Sequence, residues 1–141
     1  MGTWDVGPFD NDTAADWCGD LNDAAPAERL DMIRRALADA ANADGYLDSR
    51  EACAAIAAAA IVAAQRPGGP EIDDVYGPDF LTGGAPIDLP TDLAPLAVRA
   101  IDRILGDDSE WRDLWEDSGA LPKAQAALAP IRAALLTHPA P

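Results

Sequence analysis

Residues 52–64 read Ala-Cys-Ala-Ala-Ile-Ala-Ala-Ala-Ala-Ile-Val-Ala-Ala, thirteen positions without a charge or an amide. Alanine is the strongest helix former, so the segment predicts a helix. A helix that is apolar on every side has to be surrounded by other elements rather than laid on a surface. Its methyl groups also allow neighbours to come close. The run is too short and too rich in alanine to cross a bilayer. One small-sided central helix, with partners on all sides, is therefore the constraint the rest of the chain has to satisfy.

The remaining segments supply those partners. Ala14, Trp17, Cys18 and Leu21 fall at i, i+3, i+4 and i+7, which predicts a helix over 12–23 with Asn11 or Asp12 as its cap. A second helix is predicted over 26–41, opened by Pro26 and striped by Leu30, Ile33, Leu37 and Ala41. Residues 42–47 read as a turn. The central helix then starts at Asp48, with Glu51 three residues on in the manner of a capping box, and runs to about residue 65. A fourth helix is expected over 92–105, capped by Thr91, with Leu93, Leu96, Ala97, Ala100, Ile101 and Ile104 inward. A fifth spans 109–116 with Ser109 as cap and Trp111, Leu114 and Trp115 at i, i+3 and i+4. A sixth covers 122–136, striped by Leu121, Ala124, Leu128, Ile131 and Leu135 and bent by Pro130.

Two stretches are not helical. Residues 1–10 combine Gly2, Gly7 and Pro8 with Trp4, Val6 and Phe9, an ordered lead-in that packs its bulky groups on the core. Residues 66–90 hold five prolines and five glycines among apolar side chains, which predicts a long packed loop, with a short helical turn at 78–82. No strand pattern occurs. The expectation is one all-α domain over 1–141, of five or six helices.

Charge narrows the partners. The net charge is -15, from 25 acidic and 10 basic residues. Seven acids lie between Asp5 and Glu28 with no base before Arg29, and six between Glu71 and Asp92 with none between Arg66 and Arg99. Such a chain is repelled by nucleic-acid phosphates and by anionic lipid, and attracts basic protein surfaces or cations. There is no secretory signal pattern, and Val6 breaks the myristoylation motif, so a cytoplasmic protein is expected. Cys18 and Cys53 have no metal spacing and read as buried free thiols.

The opening Gly2-Thr3-Trp4-Asp5-Val6-Gly7-Pro8-Phe9-Asp10-Asn11-Asp12-Thr13-Ala14-Ala15-Asp16-Trp17 resembles the bacterial domain-of-unknown-function family 4259. That family opens on a G-x-W-x-x-G-x-F-x-N-D-x-A-x-D-W pattern. Tyr46-Leu47 before the alanine-rich helix, and Ser109-Glu110-Trp111-Arg112-Asp113-Leu114-Trp115, are similar to it as well. The resemblance covers most of the chain and implies domain boundaries; it implies no activity.

The chemistry available to this sequence is limited. The opening motif reads first as a folding device, its aromatics anchoring the lead-in on the first helix. The functional alternative is a polar recess of Asp10, Asn11, Asp12 and Asp16 beside Trp4 and Trp17 that grips a cation, an arginine or an amine. With Gly45 at position six, Asn42, Asp44, Asp48 and Glu51 take positions three, five, nine and twelve of a calcium loop, but Ala40 stands where the first carboxylate belongs. The single histidine, His138, is the fourth residue from the end of the sequence, and no nucleophile motif, zinc set or phosphate loop is present. No catalytic residue and no cofactor are therefore assigned. Two readings follow: a small interaction protein for a basic partner, such as an immunity- or antitoxin-type inhibitor of a nuclease, or a carboxylate-based metal or small-molecule binder. Self-association through an exposed Trp111 and Trp115 is a third.

Overall fold

The computed structural model describes residues 12–64, 90 and 92–136. Among them are six α-helices and no strand: α1 (Asp12–Asp23), α2 (Pro26–Ala41), α3 (Ser49–Ala64), α4 (Leu93–Leu105), α5 (Glu110–Ser118) and α6 (Leu121–Leu136). The lead-in over 1–10, the turn at 78–82 and nearly all of the 66–90 loop lie outside the described residues.

The alanine run sets the architecture. α3 packs against each of the other five helices, and every residue from 55 to 63 is buried. With methyl groups at the contacts, helix axes approach to the short end of the usual 8–10 Å, about 8 Å. Each buried methyl contributes about 0.8 kcal/mol of transfer free energy, so the helix holds its neighbours by many small contacts. Leu21, Ile33, Leu37, Leu47, Leu93, Ile101 and Ile104 fill the space around it, all fully buried.

The stripes of α1, α4 and α6 fall largely as the spacing predicts, with Leu96 and Leu121 only partly buried. That of α2 is rotated: Ile33, Ala36, Leu37 and Ala40 are buried, while Leu30 and Ala41 are half-buried. Alanine needs little room, so it takes the close contacts that a stripe chosen by bulk gives to leucine. α6 runs unbroken through Pro130, whose ring is exposed, so the backbone position lacking an N–H donor lies on the outer side of the helix.

The helix ends combine local caps with ties from distant partners. The Asp48 carboxylate accepts the Arg50 N–H at 2.7 Å, and the Ser109 hydroxyl accepts from Arg112 N at 3.4 Å. Glu51 does not complete a capping box with Asp48; instead Glu110 accepts the Ser49 N–H at 2.9 Å, from another helix. α5 runs two residues past Glu116 and closes on Gly119, at φ 78°, with Gly119 N bonded to the Glu116 carbonyl and Ala120 N to that of Trp115. That pairing needs a left-handed residue, which glycine adopts without strain. Asp92, at the N-terminus of α4, makes no cap with its side chain. Its carboxylate is taken by Arg34 of α2 at 2.5 and 3.3 Å.

Candidate functional site

The structure describes only part of the opening motif, from Asp12 onward. Trp4, Asp10 and Asn11 lie outside the described residues. Asp12 and Asp16 are exposed on α1. Asp20 and Asp23 are exposed as well, and spacings of four, four and three place all four carboxylates along one outer stripe. Trp17 is half-buried and packs against the core. α1 contains no basic residue. Its C-terminal end is held from the next helix, where Arg29 donates from Nε to the Leu21 carbonyl at 3.0 Å and from Nη2 to that of Asn22 at 2.9 Å.

The 42–51 turn is gathered by side chains from far along the chain. Arg99 donates to the Asn42 amide oxygen at 2.9 Å, and Arg103 to the Gly45 carbonyl at 2.5 Å. Asp48 is engaged as a helix cap, while Asp44 and Glu51 are exposed. The oxygens a calcium loop would offer are thus partly occupied by guanidinium groups. Among the described residues, no three His, Cys, Asp or Glu side chains are placed to hold one metal ion.

The same turn meets the start of α5. Leu47 and Ser109 form a parallel bridge, with Leu47 N bonded to the Asp108 carbonyl at 2.7 Å and Glu110 N to the Leu47 carbonyl at 2.9 Å. Arg103 also donates to the Asp107 and Asp108 carbonyls, at 3.0 and 3.2 Å. Asp108 sits at φ 57°, a left-handed conformation that aspartate tolerates better than most residues. Ser109 is fully buried beneath the bridge. The two later segments that carried the family resemblance are therefore one structural unit.

Tyr46 stands at the outer edge of this junction. Its hydroxyl donates to the Asp113 carboxylate at 2.7 Å although its ring remains exposed. The hydrogen bond to Asp113, some desolvation, and the charges of Asp113, Glu110 and Asp117 push the phenol up to about 12. No sequence signal joins position 46 to 113, so this pair was not foreseen. The expectation of an exposed tryptophan pair is corrected. Trp111 is buried and Trp115 half-buried, their rings meeting edge to face with centroids 6.4 Å apart. Their period faced them to the core; Leu114, expected beside them, is exposed.

The thiols offer little reactivity. Cys18 is buried and Cys53 is partly buried, and neither forms a disulfide. Burial, with a smaller contribution from Asp48, pushes the Cys53 thiol up to about 11, which leaves almost no thiolate at neutral pH.

Four arginines, Arg29, Arg99, Arg103 and Arg112, donate to backbone carbonyls or a neutral amide. Arg112 also approaches Asp107, at a loose 3.8 Å. Two-pronged carboxylate pairs are formed by Arg34 with Asp92 and by Arg132 with Asp102. The carboxylates of Asp12, Asp16, Asp20 and Asp23 face outward along α1, which carries no base of its own.

Among the described residues no helix is long and apolar enough to cross a membrane. The family model described as domain of unknown function (DUF4259) matches residues 2–127, and the chain belongs to that family. Comparison with curated proteins and with solved structures returns no match.

Proposed function

We propose that this member of the DUF4259 family is a small acidic protein-interaction module whose partner presents a basic face. The observation that carries the reading is the row of outward carboxylates on α1. They face solvent without a base on their own helix, and four arginines elsewhere in the chain are engaged with carbonyls or an amide. Such a stripe is locally unfavourable. Like charges at i, i+4 each cost about 0.2–0.5 kcal/mol, and Asp20 and Asp23 sit at the negative end of the helix dipole. A basic partner removes both penalties and is steered to the face by long-range attraction. An inhibitor that covers the phosphate-binding face of a nuclease is one form this activity takes.

The test is affinity capture from host lysate at low salt, with stepwise salt elution, mass-spectrometric identification and an unrelated acidic protein of similar charge as control. The expected result is a basic protein enriched over the control and released by moderate salt. Its capture should weaken when Asp12, Asp16, Asp20 and Asp23 are replaced together by Asn. Enrichment equal to the control would overturn the proposal.

A further inference from the structure

Three large apolar side chains are exposed among the described residues: Tyr46, Leu114 and Leu136. Two of them share a place. Glu110, Asp113, Leu114 and Asp117 follow the i, i+3, i+4, i+7 spacing of one helical face, and Tyr46 is bonded to that face through Asp113. Tyr46 is 56% and Leu114 47% exposed; Asp113 and Asp117 are exposed and Glu110 is half-buried. The one arginine of α5 points elsewhere, to the Leu105 carbonyl at 3.1 Å.

Building on the interaction reading above, we propose that Tyr46 and this outer face of α5 form the docking point for an arginine-bearing, partly apolar segment of a protein partner. Charge complementarity selects the occupant. A second copy of the chain would set carboxylates against carboxylates, and a nucleic acid would add phosphates to them. A guanidinium suits the face better than an ammonium, because it lies flat on a tyrosine ring and forks onto a carboxylate at once. The Asp113 bond already restrains the ring, so binding loses little side-chain freedom there. Leu114 supplies what charge alone lacks: a short-range apolar contact that fixes register. Interfaces concentrate their energy on such aromatic and arginine anchors, ringed by contacts that exclude water. The stripe on α1 then acts at a distance, raising the encounter rate.

The full-length protein is titrated calorimetrically with two peptides of equal charge, one alternating arginine and leucine, the other lysine and glycine. The arginine–leucine peptide should bind about tenfold more tightly. Leu114→Gln and Tyr46→Ala should each reduce its affinity about tenfold, with the thermal melt of each variant confirming the fold. Those losses should persist at 1 M salt, where screening acts within about 3 Å, while the effect of Asn replacements on α1 should vanish there. Equal binding of the two peptides, insensitive to both variants, overturns this docking point and leaves the acidic-module reading standing. If neither peptide binds in a salt-sensitive way, both fail.

Discussion

Arg103 of α4 donates to the Gly45 carbonyl at 2.5 Å across 58 residues of sequence, and the same guanidinium holds the Asp107 and Asp108 carbonyls. One side chain thus ties the α2–α3 turn to the turn before α5. Hydrogen bonds from a charged donor contribute about 1.5–3 kcal/mol each when well sheltered, and less when partly exposed as here. Arg103→Ala should lower unfolding stability by about 1–3 kcal/mol in urea titration, with Arg103→Lys recovering only part of the loss, since an ammonium does not reproduce the fork. Full recovery by lysine would show that charge alone is enough at this position.

α3 meets its neighbours through buried methyl groups. Ala59 is fully buried, and Ala59→Leu should cost about 1–3 kcal/mol by overpacking. Ala129, exposed on α6, should accept leucine within about 0.5 kcal/mol. Matched urea melts of the two variants make the comparison, and equal effects would contradict the close packing of α3.

Acid sensitivity should show at the α2–α4 tie. The hydrogen bond from Arg34 holds the Asp92 carboxyl below its ordinary 3.8. A carboxyl lowered in the folded state stabilises above its unfolded value, and loses that contribution as pH falls through the folded one. Asp92→Asn should therefore flatten the acid limb of the stability curve below about pH 4. The exposure of both side chains keeps the effect small. Denaturant midpoints between pH 2 and 7 provide the measurement; an unchanged slope in the variant would dissociate the pair from acid stability.

Cys53 and Cys18 should resist alkylation. With the Cys53 thiol pushed up to about 11 and Cys18 buried, iodoacetamide at pH 8 should label neither until denaturant is added. Intact-mass spectrometry reads the outcome, and prompt single labelling of the native protein would show Cys53 to be reactive.

Relief of repulsion along α1 should stabilise the chain. Asp20→Asn removes one i, i+4 like-charge pair and an acid near the negative helix end, and should raise stability by about 0.5–1 kcal/mol at low salt. The gain should shrink at 0.5 M salt. Thermal melts at the two salt concentrations decide it.

Much of the helical frame was legible because it is local. The spacing of Ala14, Cys18 and Leu21 faces them inward, Ser109 caps where a serine before a tryptophan stripe should, and the alanine run is central because no other place suits it. What sequence periodicity could not supply are the ties between residues far apart. Arg99 with Asn42, Arg103 with Gly45, and Tyr46 with Asp113 span 57, 58 and 67 positions. Each depends on tertiary placement that a helical wheel does not contain. The rotated stripe of α2 escaped for another reason: the pattern weighs residues by bulk, whereas packing on an alanine surface rewards small ones. Of the expected site, Asp12 and Asp16 are both exposed on α1, and the exposure of Leu114 on α5 was hidden because its spacing beside Trp111 and Trp115 suits core.

The bridge between Leu47 and Ser109 has an electrostatic consequence for how the chain's acidity is divided. It sets the N-termini of α3 and α5 side by side, so two partial positive charges of about half a unit each are brought together. Glu51, Glu110 and Asp113 lie in the opening turns of these helices, and Asp48 immediately before one of them. There negative charge is an internal counter-ion for the fold. At the C-terminal end of α1, Asp20 and Asp23 are instead a liability to the helix that bears them. Among the described residues these two groups of acids therefore have opposite roles, and neutralising them one at a time should move stability in opposite directions.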